Sequence, residues 1–213
     1  KEVLPCGEAK DEVSRKQFYD RQRAGELIQT SQVSPQQFIE AFTPVLASGR
    51  DILYLSLSGG LTNAEDSIHL AKLELSERFP ESRVCAVDSL SASGGIGLLA
   101  ELAASRRAEG VCLEENAACM ELLRHQVCHL FMVEDLTYLR RGGRIPAATA
   151  VFGSALNIKP ILCMQDGLIV SYAKCRGKVA GKKTLLDELK KMVDADLLSG
   201  ASAGAEVKLY DVD

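Results

Sequence analysis

Short apolar runs, small-residue turns and helical patterns alternate through the first two thirds of this chain, and that alternation limits the folds open to it. Residues 52–57 are apolar and end at Ser58-Gly59-Gly60. Residues 63–78 then carry Ala64, Ile68, Ala71 and Leu75 at helical spacing. A second apolar run, 83–87, ends at Asp88-Ser89, and Ser93-Gly94-Gly95 leads into an Ala/Leu-rich helix to about Arg107. Another helix fits 114–126, and 129–133 is a third short strand. Upstream, residues 35–48 read as a helix with Ser34 as N-cap, Pro35 in its first turn and Gly49 as C-cap. The pattern predicts a parallel, Rossmann-like α/β sheet. Ligands of such sheets bind outside the carboxyl ends of the strands. The turns at Ser58-Gly59-Gly60 and Asp88-Ser89, with Ser91 following, occupy that address.

After Gly142-Gly143 the texture changes. Residues 157–164 and 168–172 are β-like and flank Gln165-Asp166-Gly167, a hairpin signal. Residues 182–193 are amphipathic and helical, and 206–210 form a final strand. The expectation is an α/β protein of two lobes: an N-terminal parallel lobe over 1–145 and a C-terminal α+β lobe with a hairpin-containing sheet over 146–213. The start at Lys1, with Glu2-Val3-Leu4-Pro5 reading like an element already under way, leads us to expect a chain lacking its first strand, with the C-terminal lobe also truncated.

Composition narrows the function classes. With 213 residues, 46% hydrophobic and 25% charged, the chain can bury a core and is not low-complexity. The net charge of −4 implies no general affinity for nucleic acid. It divides unevenly: residues 1–134 carry 13 Lys/Arg and 20 Asp/Glu, and 135–213 carry 12 and 9. The seven cysteines lack C-x-x-C spacing and read as reduced, buried thiols of a cytoplasmic protein. No apolar run approaches the ~18 residues of a membrane helix.

Several groups could carry chemistry. Ser58 is not in a G-x-S-x-G elbow, but a triad of Ser58, Asp88 and one histidine is a conceivable hydrolase. The three histidines lack metal-ligand spacing. Gly94-Gly95-Ile96-Gly97 is half a dinucleotide loop and equally fits tight packing. In Thr30-Ser31-Gln32-Val33-Ser34-Pro35, capping accounts for Ser34 and leaves Thr30, Ser31 and Gln32 unassigned. Arg140, Arg141 and Arg144 around Gly142-Gly143 can grip an anion or a carboxylate-bearing partner, or simply cap a helix C-terminus.

In order along the chain, these pieces resemble the DegV family of bacterial fatty-acid-binding proteins. Thr30–Pro35 is similar to the family's T-S-Q-P-S-P, departing at Val33. Ser58-Gly59-Gly60-Leu61-Thr62 stands where the family has S-S-x-L-S followed by G-T-Y, and departs at Gly59, Asn63, Ala64 and Glu65. Asp88-Ser89 fits its D-S segment. Tyr138-Leu139-Arg140-Arg141-Gly142-Gly143-Arg144-Ile145 resembles Y-L-K-R-G-G-R-I. Leu156-Asn157-Ile158-Lys159-Pro160-Ile161-Leu162, then Lys174-Cys175-Arg176-Gly177-Lys178, fit L-N-I-K-P-I-L and K-x-R-G-K.

The resemblance implies a non-enzymatic lipid-binding subunit, cytoplasmic and bacterial, of the kind (FakB) that serves a partner fatty acid kinase in phospholipid metabolism. One long-chain fatty acid would lie in a tunnel between the lobes, with no other cofactor and no metal. Thr30, Ser31, Ser58 and Gly59 would hold its carboxylate. Phe152, Leu156, Ile158, Ile161 and Leu162 are the tunnel candidates. Arg140, Arg141 and Arg144 would face the head group or the partner. Contact with membranes would be transient. The residues by themselves leave open a serine hydrolase or acyltransferase using Ser58, and a phosphate- or nucleotide-binding module using 58–60, 94–97 and 140–144.

Overall fold

The computed structural model describes residues 15–133, 135–146 and 158–199. The chain divides into two compact units, 1–31 and 32–213. In the first, helix α1 (Arg15–Arg23) is laced by exposed ion pairs from Asp20 to Lys16 and Arg23, and Arg21 grips Glu26 through two nitrogens.

The second unit runs α2 (Pro35–Leu46), β1 (Ile52–Ser56), α3 (Ala64–Arg78), β2 (Val84–Asp88), α4 (Gly94–Ala108), α5 (Leu113–Leu123), a 3₁₀ turn (Arg124–Gln126), β3 (Leu130–Met132), α6 (Thr137–Arg141), β4 (Ile158–Gln165), β5 (Leu168–Arg176) and α7 (Lys178–Ser199). The expected start of α2 is present. The Ser34 hydroxyl accepts from Gln37 N while Gln37 accepts from Ser34 N, a reciprocal cap that satisfies two end groups.

Strands β1 and β2 pair in parallel, Ile52 with Val84 through Ser56 with Asp88. Both faces are covered, which is why each strand reads as a continuous apolar run. On one face, Ile52, Tyr54, Val84 and Ala86 pack on Phe38, Ile39, Leu46, Ile68, Ala71 and Leu75 from α2 and α3. On the other, Leu53, Leu55, Cys85 and Val87 meet Leu99, Ala103, Ala117 and Met120 from α4 and α5. Two-sided burial fixes the register, because a one-residue slip would exchange the faces.

The α/β class expected from the sequence holds, with one correction. The third run, here β3, does not join the parallel sheet. It pairs antiparallel with β4, Phe131 opposite Leu162, and β4 pairs antiparallel with β5 around Asp166-Gly167. An apolar run three residues long carries no local information about its partner; the long edge of β4 decides it. A bulge leaves Tyr172 of β5 between the partners of Ile161 and Leu162, and on β4 Pro160, Ile161 and Leu162 are buried in succession. Leu162, Leu136 and Ile145 centre this second core. The strand expected at 206–210 lies outside the described residues.

Two smaller expectations also change. The helix over 114–126 closes at Leu123 and tightens into the 3₁₀ turn. Of the six cysteines described, all are free; Cys112 and Cys128 are exposed, not buried, since both sit at element ends.

Candidate functional site at the carboxyl ends of the parallel strands

Four serines are almost completely buried where β1 and β2 end: Ser56 at 2% exposure and Ser58, Ser89 and Ser91 at 0%. The parallel ladder continues past the strands, with Ser89 N donating to Ser56 O and Ser58 N to Ser91 O. Ser89 Oγ donates to Ser56 O at 2.5 Å and accepts from Ser91 N at 3.1 Å. The hydroxyls of Ser56 and Ser91 are buried and have no hydrogen-bond partner. A buried unsatisfied hydroxyl costs about 1–3 kcal/mol, so two in one cluster call for an explanation.

Asp88 ties the two turns together. Its Oδ1 accepts from Gly59 N at 3.2 Å and from Leu90 N at 2.9 Å. Its backbone carbonyl accepts from Arg124 at 3.0 Å, and Arg124 also pairs with Glu121 at 2.7 Å. A Cβ on Gly59 would stand 3.0 Å from Asp88 Oδ2 and 3.2 Å from Glu65 Oε2, so two carboxylates flank this glycine. Burial, then the charge of Asp88, push the Glu65 carboxyl above its ordinary range. The loop between β2 and α4 is strained: Leu90 and Ser93 hold φ of 49° and 47° without being glycine.

The tip of the β4–β5 hairpin seats against this cluster. Ser58 Oγ donates to Gly167 O at 2.6 Å and accepts from Gly60 N at 3.3 Å. Beside it, a polar cavity of about 320 Å³ lies between α3 and β2, lined in part by Ser56, Glu65, Asp66, His69, Lys72 and Asp88.

Ser58 and Gly59, the residues expected at the head group, have their donors already engaged. Thr30 and Ser31 are exposed residues of the first unit. Arg140, Arg141 and Arg144 border a helix end: Gly143 takes φ 74°, and Arg144 N donates to Leu139 O at 2.9 Å. The Arg144 guanidinium folds back on Gly142 O, and Arg140 and Arg141 are exposed. Ile161 and Leu162 are fully buried, and Ile158 is half-buried. Phe152 and Leu156 lie outside the described residues. Sequence reasoning noted Ser89 and Ser91 as part of a strand-end turn but did not single out Ser56, Glu65 or Arg124 as site residues. Only the apolar-run-then-serine pattern could have pointed to Ser56; Glu65 and Arg124 read as ordinary solvated helix residues. Among the described residues no cluster of three or more metal-ligating side chains occurs, and no helix is long and apolar enough to cross a membrane.

A family model described as "Uncharacterised protein, DegV family" matches residues 7–201. A DegV domain-containing protein of Clostridium perfringens is 37% identical over 183 residues, 85% of this chain and 63% of its own length. A solved DegV family protein of Thermus thermophilus, named for fatty acid binding, is 30% identical with a TM-score of 0.74, covering 86% of this chain and 64% of that one. The Fatty Acid Kinase (Fak) B3 protein of Streptococcus pneumoniae, solved with linoleic acid, shares the fold at 24% identity, with a TM-score of 0.77 over 86% of this chain and 64% of its own. The chain thus spans under two thirds of the length of these relatives. With its serine-ended parallel strands and its antiparallel hairpin sheet, the chain belongs to the DegV family.

Proposed function

We propose that this chain binds a long-chain fatty acid, with the carboxylate at the buried serine cluster and the acyl chain in a tunnel between its two lobes. The observation that carries this reading is the pair of buried, unpartnered hydroxyls, Ser56 and Ser91, at the carboxyl ends of the parallel strands. Hydroxyl donors hold a carboxylate without a counter-ion, each bond contributing about 1.5–3 kcal/mol. The name of the Thermus thermophilus relative supports the ligand class. About 15 methylenes at ~0.8 kcal/mol each supply ~12 kcal/mol gross before the costs of association, so the tail provides affinity and the hydroxyls provide polarity.

On this reading Thr30, Ser31, Ser58 and Gly59 are carboxylate ligands, as the family resemblance implies, and Ser58 turns to the ligand when Gly167 releases it. Phe152, Leu156, Ile158, Ile161 and Leu162 line the tunnel. Arg140, Arg141 and Arg144 face the head group or a partner fatty acid kinase, which carries out the phosphorylation. The protein works in the cytoplasm and is not itself an enzyme. A nucleophilic Ser58 finds less support, because its hydroxyl is buried and donates to a backbone carbonyl.

Denaturing extraction and mass spectrometry of protein purified from lipid-replete cells test the reading. A stoichiometric C14–C18 acid is the expected result; its absence overturns it.

A further inference from the structure

Apart from the unpartnered Ser56 and Ser91 hydroxyls at the strand ends, the donors of the Ser58-Gly59-Gly60 turn are already engaged. The Ser58 proton goes to Gly167 O, the Gly59 N–H to Asp88 Oδ1 and the Gly60 N–H to Ser58 Oγ. An incoming carboxylate also meets negative charge, since Asp88 from β2 and Glu65 from the first turn of α3 already flank Gly59. The other charges around Glu65 are Asp66 on its own helix, Glu121 in the last turn of α5 and Arg124 just after it. Arg124 is paired with Glu121 and so offers little relief. His69 and Lys72 line the same cavity farther along α3.

Beyond the Ser56 and Ser91 hydroxyls, a third carboxylate in this setting needs a donor on the Gly59 side and one negative charge fewer. A protonated Glu65 supplies both. Its side chain is exposed to water, so a proton is available, and a bound head group would cover it.

We propose that Glu65 determines head-group specificity in this chain: it takes one proton from solvent as a long-chain acid binds, and donates that O–H to the ligand's carboxylate. One O–H bond forms on Glu65 and one breaks in hydronium or a buffer acid, no carbon–oxygen bond changes, and the proton ends shared between two carboxyl groups. The inference rests on the fatty-acid reading and on a head group at Ser58-Gly59. The upward push on the Glu65 carboxyl, from burial and from Asp88, lowers the cost of protonating it. Affinity for an acid then falls as pH rises, by up to about tenfold per pH unit while one proton is taken up. Affinity for a long-chain alcohol, which brings its own donor and no charge, stays level.

Calorimetric titration of the full chain with hexadecanoic acid and with 1-hexadecanol, in two buffers of unlike ionisation enthalpy and across the neutral pH range, tests this. The expected result is about one proton taken up per acid bound and none per alcohol. Glu65→Gln, an uncharged donor of the same shape on an exposed helix turn, should bind the acid with no uptake and a flat pH profile. Acid binding without proton uptake in the unaltered protein, or equal uptake in the glutamine variant, overturns the assignment of Glu65 alone. Failure of both proteins to bind the acid at any pH overturns the fatty-acid reading and this inference with it.

Discussion

The hydroxyl of Ser58 donates to the carbonyl of Gly167 at 2.6 Å, joining residues 109 apart in sequence. The bond ties the end of β1 to the tip of the β4–β5 hairpin. Two glycines make the approach possible. A Cβ on Gly60 would stand 2.4 Å from Gly167 O, and one on Gly167 would stand 2.5 Å from Ser58 Oγ.

Gly167→Ala should therefore destabilise the protein by about 1–3 kcal/mol, through the clash and through φ 77° at that residue. Gly60→Ala should act in the same direction. Gly97→Ala is the matched control. It lies inside α4 with nothing within 4 Å of its would-be Cβ, and should stabilise by about 0.5–1 kcal/mol. Denaturant midpoints of the three variants check this; a stabilised Gly167→Ala would show that the hairpin tip is not held where we describe it.

The orphan hydroxyls make a second prediction, in which stability and binding move apart. Ser56→Ala and Ser91→Ala each remove a buried hydroxyl that has no partner. The ligand-free protein should lose nothing in unfolding free energy, and gains up to about 1 kcal/mol. Affinity for a fatty acid should fall by about 1.5–3 kcal/mol, the value of a hydrogen bond to a charged group, while a long-chain alcohol is affected less. Variants that lose stability while binding the acid as before would remove these serines from the site.

The sequence made the local parts of this design readable and concealed the long-range ones. Ser34, Pro35 and Gln37 announce the start of α2 because a cap is made within four residues. The runs of β1 and β2 are readable because burial on two faces demands continuous apolar residues. Residues 130–132 carry the same texture, yet pair with β4, since pairing is chosen by residues about thirty positions away. At the site, Ser58 and Gly59 stand out within a small-residue turn. Glu65 does not, because its meaning comes from Asp88 across the sheet end, and a glutamate in the first turn of a helix is otherwise ordinary.

His129 ties stability to pH. Its ring packs on Gly95, where a Cβ would stand within van der Waals overlap of Nε2. Burial pushes its pKa down, against a weaker upward pull from the Val127 and Ala92 backbones. The folded state therefore binds a proton less readily than the unfolded chain. Unfolding free energy should rise with pH from the folded pKa up to about 6.5, then level off. Asp51 and Asp135, whose carboxyls are lowered by bonds to Arg83 and Thr137, contribute their own loss only in more acid solution, near the ordinary range of about 4. Thermal unfolding from mildly acid to neutral pH checks this: His129→Gln should flatten the slope just below pH 6.5 and leave the acid limb unchanged. An unaltered slope would mean that another group sets it.

Leu162 and Ile158, both on β4 and both proposed to line the tunnel, differ in burial. Leu162 is fully buried among Leu136, Ile145, Phe131 and Ile169, so Leu162→Ala should cost about 2–5 kcal/mol whether or not lipid is bound. Ile158 is half-buried at the start of the strand, opposite Arg176, and has less packing to lose. A tunnel-lining Ile158 predicts that Ile158→Phe shortens the acyl chains recovered by mass spectrometry, with a stability change below that of Leu162→Ala. Leu162 would then hold the antiparallel sheet to α6 as well as wall the tunnel, while Ile158 would chiefly measure the ligand. Recovery of the same chain lengths from Ile158→Phe, with a cost matching Leu162→Ala, would make both residues core and move the tunnel away from β4.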